Sequence, residues 1–177
     1  QDILYTAHPH IGTDLLRDIV KRLREEIIAL GGEVRFSSCL QDLIIEQGEL
    51  RGIVVNDEEI PVDQLILSIG HSARDTYRLL HARGVTMHPK AFAIGARIEH
   101  PQTLINEAQY KTLCGHPRLS AAEYRLTHTA SNGRGVYTFC MCPGGSVVPS
   151  TSMEGGVVVN GMSEHARDRE NANSALL

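Results

Sequence analysis

Leu65-Ile66-Leu67-Ser68-Ile69-Gly70-His71-Ser72-Ala73-Arg74-Asp75 is the stretch from which the fold is read. Its first five residues are almost all apolar, the texture of a strand covered on both faces. Gly70 closes the run, and Ser72 with Asp75 has the spacing of a capping box, in which two side chains satisfy free backbone N–H groups at a helix start. The pattern predicts a central strand over 65–69 and then a helix over 73–82, with Leu79 and Leu80 on its buried side and Gly84 at its end. A glycine at the carboxyl end of such a strand lets a ligand approach the backbone, and the helix N-terminus behind it offers N–H groups and partial positive charge. In open α/β sheets that edge is where ligands bind. An ordinary strand-to-helix turn explains the same residues equally well.

Upstream, Asp14 reads as an N-cap, and Leu15, Ile19, Leu23 and Ile27 recur every four residues with Leu16, Val20 and Leu30 beside them, one apolar stripe of a helix. Gly31 and Gly32 end it. A short strand over 33–36 follows, then a meander over 42–46, 50–56 and 59–62 with turns at Gln47-Gly48 and Asp57-Glu58. Downstream the texture is β-rich: strands over 91–98, 135–141, 146–148 and 156–160, a short helix over 102–110, and a helix over 164–177. The fold class is α/β with α+β character. Residues 1–86 form one domain, built from the helix, the meander and the central strand, and residues 87–177 form a β-rich lobe.

The chain has 177 residues, enough for one domain or two small lobes. With 42% hydrophobic and 21% charged residues and no apolar run near the roughly 18 residues of a membrane span, a globular chain outside the membrane is expected. A net charge of −4 speaks against a general nucleic-acid surface. Cys39, Cys114, Cys140 and Cys142 occur without a signal peptide or a dense cysteine framework, so reduced thiols and a cytoplasmic setting are expected. Gln1 in place of an initiator Met and the apolar ending Ala175-Leu176-Leu177 read as the ends of an internal fragment.

Three further features carry chemistry. Cys140-Met141-Cys142-Pro143-Gly144-Gly145 puts two thiols two residues apart, hence on one face of a strand, before a sharp turn. Redox work, a metal site completed by Cys114 and His116, and plain buried side chains are its three readings. Along a strand, Arg97 and Glu99 share a face, with His100 just past the end as a candidate acid or base. Arg167 to Ser174 offers a solvated charged surface and then the amides of Asn171 and Asn173, which suit a polar ligand. No G-x-G-x-x-G, P-loop, H-E-x-x-H or G-x-S-x-G is present.

The element order resembles the second part of the FAD-binding domain of two-domain flavoproteins. The strings GHSARDTY (70–77), FAIGARIEHPQ (92–102), YTFCMCPGG (137–145), and NGMS through NANSA (160–175) resemble the bacterial FAD-dependent dehydrogenase family. The resemblance implies a partial Rossmann-like FAD-binding domain with an inserted β-rich, substrate-side lobe. It implies Val34 near the adenine end of FAD, Gly70, His71 and Ser72 at the cofactor, and Gly144, Gly145, Asn171 and Asn173 as further cofactor contacts. Cys140, Cys142, Arg97 and His100 become the candidate catalytic residues, Arg97 suited to an anionic group. FAD is the implied cofactor, NAD(P)H the implied reductant, a small molecule the substrate, and the remainder of the FAD-binding domain the partner. The family's glycine-rich βαβ unit and its C-terminal cofactor-contacting segment have no counterpart in these residues. Two other classes remain: a non-enzymatic binding module with a Cys/His metal, and a flavoprotein that modifies tRNA, against which the acidic charge counts.

Overall fold

Thr13–Ala29 forms α1, whose apolar residues fall every three to four positions as expected. Gly31, at φ 88°, and the bonds from Gly31 N–H to Ile28 and from Gly32 N–H to Ile27 unwind its last turn. No residue of α1 is buried. The computed structural model describes residues 9–177. It divides into two compact units: Ile27–Ala91, and the chain up to Glu26 together with Phe92–Leu177. Among the described residues there are three α-helices and nine strands, every ladder antiparallel, a mixed α+β fold.

In the unit Ile27–Ala91, β1 (Leu40–Glu46), β2 (Glu49–Val55) and β3 (Glu58–Pro61) form the meander that the sequence predicts. Its turns are set by Gln47-Gly48 and Asn56-Asp57, all four at positive φ, the conformation whose twist matches paired strands. Helix α2 (Arg74–Ala82) lies against β1, with Leu43 and Leu80 as the buried apolar residues and an ion pair from Arg83 to Asp42.

Three expectations fail here. Residues 65–69 form no strand: no ladder among the described residues includes them, and Ile66 is 91% exposed. A buried parallel strand needs a hydrogen-bonding neighbour on each edge and helices on each face, and none of the three sheets supplies one. Residues 33–36 fail as a strand for the same reason, and Arg35 instead pairs with Glu33 at 2.5 Å and Glu58 at 3.7 Å. The N-cap of α2 is Ala73 and not Ser72, so the helix starts one residue later than the capping-box spacing predicts.

The other unit is built on the sheet β4-β9-β6-β5 (Ala96–Pro101, Asn171–Leu176, Gly135–Cys142, Thr127–Thr129) with the hairpin of β7 (Gly145–Pro149) and β8 (Val159–Ser163) beside it. Helix α3 (Gln102–Tyr110) follows β4 directly, where it is expected. The predicted helix over 164–177 is not formed. Its second half is β9, the strand between β4 and β6. Ala172, Asn173 and Ser174 are all 0% exposed there. These residues have little intrinsic strand preference, but two flanking ladders satisfy their backbone groups, and tertiary context overrides so weak a propensity. The strand expected over 156–160 sits later, at β8. The strand expected over 91–98 begins only at Ala96, because Ala96 pairs with Leu176, the last residue of β9, and no further residue of that strand is left for 91–95 to pair with. Neither β5 nor the 3₁₀ turn Lys111–Leu113 is foreshadowed by the pattern.

Ala172→Ile should overpack this centre and lower stability by roughly 1–3 kcal/mol in urea unfolding. For the other unit, the Arg83 guanidinium and the Leu43 N–H hold the Asp42 carboxyl below its usual range. Such a contribution is present above the unfolded carboxyl value, about 4, and is lost as pH falls through the lower folded value. Asp42→Asn should therefore be less stable than wild type at neutral pH, and the gap between urea midpoints should close as the pH drops below about 4.

Candidate functional site

In an antiparallel ladder, residues directly opposite share a face. The register Glu99↔Asn173↔Cys142 therefore puts Arg97, Glu99, Asn171, Asn173 and Cys142 on one face of the sheet. Ile98, His100, Ala172, Ser174 and Thr138 take the other. His100 lies within β4 and not past its end, so the sheet separates it from Arg97.

On the first face, Arg97 Nη1 donates to Asn173 Oδ1 at 2.6 Å and to the Cys140 carbonyl at 3.1 Å. A Cβ on Gly161 of β8 would overlap both the Asn173 amide and the Arg97 guanidinium, so a hydrogen there is what lets the hairpin sit on the pair. Asn173 Nδ2 is buried and has no partner among the described residues. Asn171 Nδ2 donates to Glu99 Oε1 at 2.8 Å.

The two cysteines do not share a face in the simple way their spacing predicts. The register passes from Phe139↔Ala175 to Cys142↔Asn173, so β6 carries one residue more than β9, and Cys140 takes φ 49° at this bulge. Cys140 is exposed, whereas Cys142 is half-buried and its thiol donates to the Cys140 carbonyl at 3.4 Å. Burial pushes the Cys142 thiol up, outweighing the nearby Arg97 that draws it down, so the neutral thiol is favoured.

Gly144 and Gly145 form a buried turn. The Gly144 N–H donates to Gln102 Oε1 at 2.8 Å, the Ser163 hydroxyl donates to the Pro143 carbonyl at 2.8 Å, and a Cβ on Gly144 would overlap the Arg167 carbonyl. Gln102 is itself buried, and its Nε2 donates to Asn106 Oδ1 and to the Ala122 carbonyl at 2.8 and 2.9 Å. One side chain thus ties α3, the loop at 122 and the β6–β7 turn together.

On the opposite face, His100 Nε2 and the Tyr124 hydroxyl are 2.8 Å apart, their rings tilted by 41°. Burial raises the Tyr124 hydroxyl above its ordinary value, partly offset by Ser174. His100 Nδ1 is buried without a partner among the described residues. Gln102, Gly161, Ser163 and Tyr124 are not singled out by the sequence. The first three lie inside the strings that carry the resemblance, and no local pattern marks Tyr124.

Val34, Gly70, His71 and Ser72 fall in the other unit. Gly70 has φ 68° and open space where a Cβ would stand, and its carbonyl accepts from the Tyr77 hydroxyl at 2.9 Å. Val34 and Ser72 are half-buried and His71 is exposed. Among the described residues no three His, Cys, Asp or Glu come together as a metal site, and no helix is long and apolar enough to cross a membrane.

Gly161→Ala should dislodge a fully buried amide from its guanidinium and lower stability by roughly 1–3 kcal/mol. Gly135→Ala, where a Cβ meets nothing within 4 Å, is the control and should stay within about 0.5 kcal/mol of wild type in the same denaturation experiment.

The chain is 56% identical to an uncharacterised protein of Clostridium beijerinckii over 177 residues. That match covers 99% of this chain and 33% of the relative, so the chain spans about a third of the relative's length. Residues 91–177, which hold the β4-β9-β6-β5 sheet and both faces just described, match the family described as FAD-dependent protein, C-terminal domain-like, and it is to an FAD-dependent family that this half of the chain points.

Proposed function

We propose that this chain is part of an FAD-dependent oxidoreductase of dehydrogenase type, in which it supplies one wall of the flavin site and the substrate pocket. Residues 1–86 belong in this reading to a Rossmann-like FAD-binding domain and residues 87–177 to the substrate-side lobe. The remainder of the FAD-binding domain, in the longer polypeptide, is the partner. The observation that carries the reading is the match of residues 91–177 to the C-terminal domain of FAD-dependent proteins.

The chain's own chemistry is compatible with a flavin. Gly70 combines a left-handed backbone with empty space at its Cβ, room for a cofactor to touch the main chain. His71 and Ser72 flank it, with Val34 in the same unit. Asn173 holds a buried amide donor that no acceptor among the described residues satisfies, and Arg97 beside it keeps a fixed positive charge near the exposed Cys140. In this reading Arg97 orients an anionic group of the substrate and Cys140 is the accessible thiol, while Cys142, held neutral by burial, packs behind it. FAD, when bound, carries electrons between the substrate and a second reactant, for which NAD(P)H is proposed. These 177 residues contain no G-x-G-x-x-G to hold a pyrophosphate at a helix N-terminus, so the chain by itself should bind FAD weakly.

The test is to purify the full-length polypeptide and record its visible absorbance with and without NADH or NADPH under anaerobic conditions. Flavin absorbance that bleaches on adding the nicotinamide is expected, with the 177-residue chain alone colourless. A full-length protein that is flavin-free and takes up no added FAD would sink the reading.

A further inference from the structure

On the His100 side of the sheet, α3 and the stretch 124–128 enclose a cleft of about 480 Å³, within the range of small-molecule sites. Ile98, Ile105, Ala108, Leu126, Val136 and Leu176 contribute aliphatic walls. No Asp, Glu, Lys or Arg lines it. Of its polar residues, Thr138 is spent on the Leu126 backbone, accepting from its N–H at 2.8 Å and donating to its carbonyl at 3.3 Å. The His100–Tyr124 pair contributes to the same lining.

The tautomer of that pair follows from its surroundings. His100 Nδ1 is buried with no partner among the described residues, and a buried orphan N–H is harder to tolerate than a bare lone pair. The proton therefore sits on Nε2 and is donated to the Tyr124 oxygen, which leaves the Tyr124 O–H free to donate onward. The Ser174 hydroxyl has one proton, placed between the Phe139 and Ala175 carbonyls at 3.3 and 3.1 Å.

We propose that this cleft binds a small, neutral, ring-containing apolar molecule with a single oxygen acceptor, a ketone or an ether of one or two rings, with Tyr124 as the hydrogen-bond donor and His100 as the residue that positions it. With no Asp, Glu, Lys or Arg in the lining, an ionic ligand would lose hydration without a fixed counter-charge. A stretch of polypeptide fits poorly, because its N–H and C=O groups would enter a slot walled largely by aliphatic side chains. The site lies on the face opposite Arg97, inside one unit, and its occupancy does not depend on the flavin reading.

The full-length polypeptide is titrated with 6-propionyl-2-dimethylaminonaphthalene, a neutral two-ring ketone whose emission moves to the blue in apolar surroundings. A saturable blue shift is expected. Tyr124→Phe should weaken it by about five- to ten-fold, the loss of one hydrogen bond. The ketone-free 2-dimethylaminonaphthalene should bind wild type and Tyr124→Phe alike. Ala108 is exposed on α3, so Ala108→Trp should fold, fill the cleft and abolish the shift. A missing saturable shift, a shift that survives Ala108→Trp, an affinity unchanged by Tyr124→Phe, or an equal loss for both probes each overturns the proposal. If Tyr124→Phe lowers the thermal midpoint, His100→Asn with the same probe pair takes its place and is judged by the same outcomes.

Discussion

The ladder of β9 between β4 and β6 places Asn173 and Ser174 where no water reaches, and the surrounding architecture answers to that burial. A buried amide or hydroxyl is tolerable only with partners. Ser174 finds the Phe139 carbonyl, Asn173 finds Arg97, and Arg97 in turn reaches the Cys140 carbonyl that the bulge of β6 turns toward it. Gly161 leaves space for that triad, and Gly95 leaves space for the end of β9. One strand of small residues therefore decides where glycine is needed on two other segments.

The same alternation gives the sheet two unlike faces. One collects a guanidinium, two amides and a thiol under the β7–β8 hairpin, while the other collects aliphatic side chains and the His100–Tyr124 pair under α3. Gln102 couples the layers, because its amide holds the helix, the loop at 122 and the turn at Gly144 at once. The turn that carries Pro143, Gly144 and Gly145 is fixed from both ends by buried polar bonds, so its shape does not depend on solvent or on a ligand.

What the sequence made legible was whatever depends on near neighbours along the chain. The meander, α3, β6 and β7 follow from alternation and from turn residues that accept positive φ. Residues 65–69 and 33–36 were misread because an apolar run announces burial but not the strand that must lie beside it. The end of the chain was misread because Asn-Ala-Asn-Ser is locally indifferent, and only the two flanking ladders make it a strand. Arg97, Asn173 and the two cysteines, chosen for separate reasons, do come together, but parity moved His100 to the other face, and an extra residue in β6 undid the shared orientation of the thiols. Tyr124 was invisible because its partner lies 24 residues away across a fold.

The bond between Arg97 and Asn173 joins residues 76 apart, whereas each hairpin of the meander closes over a two-residue turn. Closing a long loop costs conformational entropy before any contact repays it, so distant pairings form late. On a ribosome the meander can take shape as soon as it clears the exit tunnel. The β4 and β6 strands must wait, edges open, until the last residues of β9 have been made. Their vulnerable interval is therefore set by the speed of translation and not by the strength of the finished sheet.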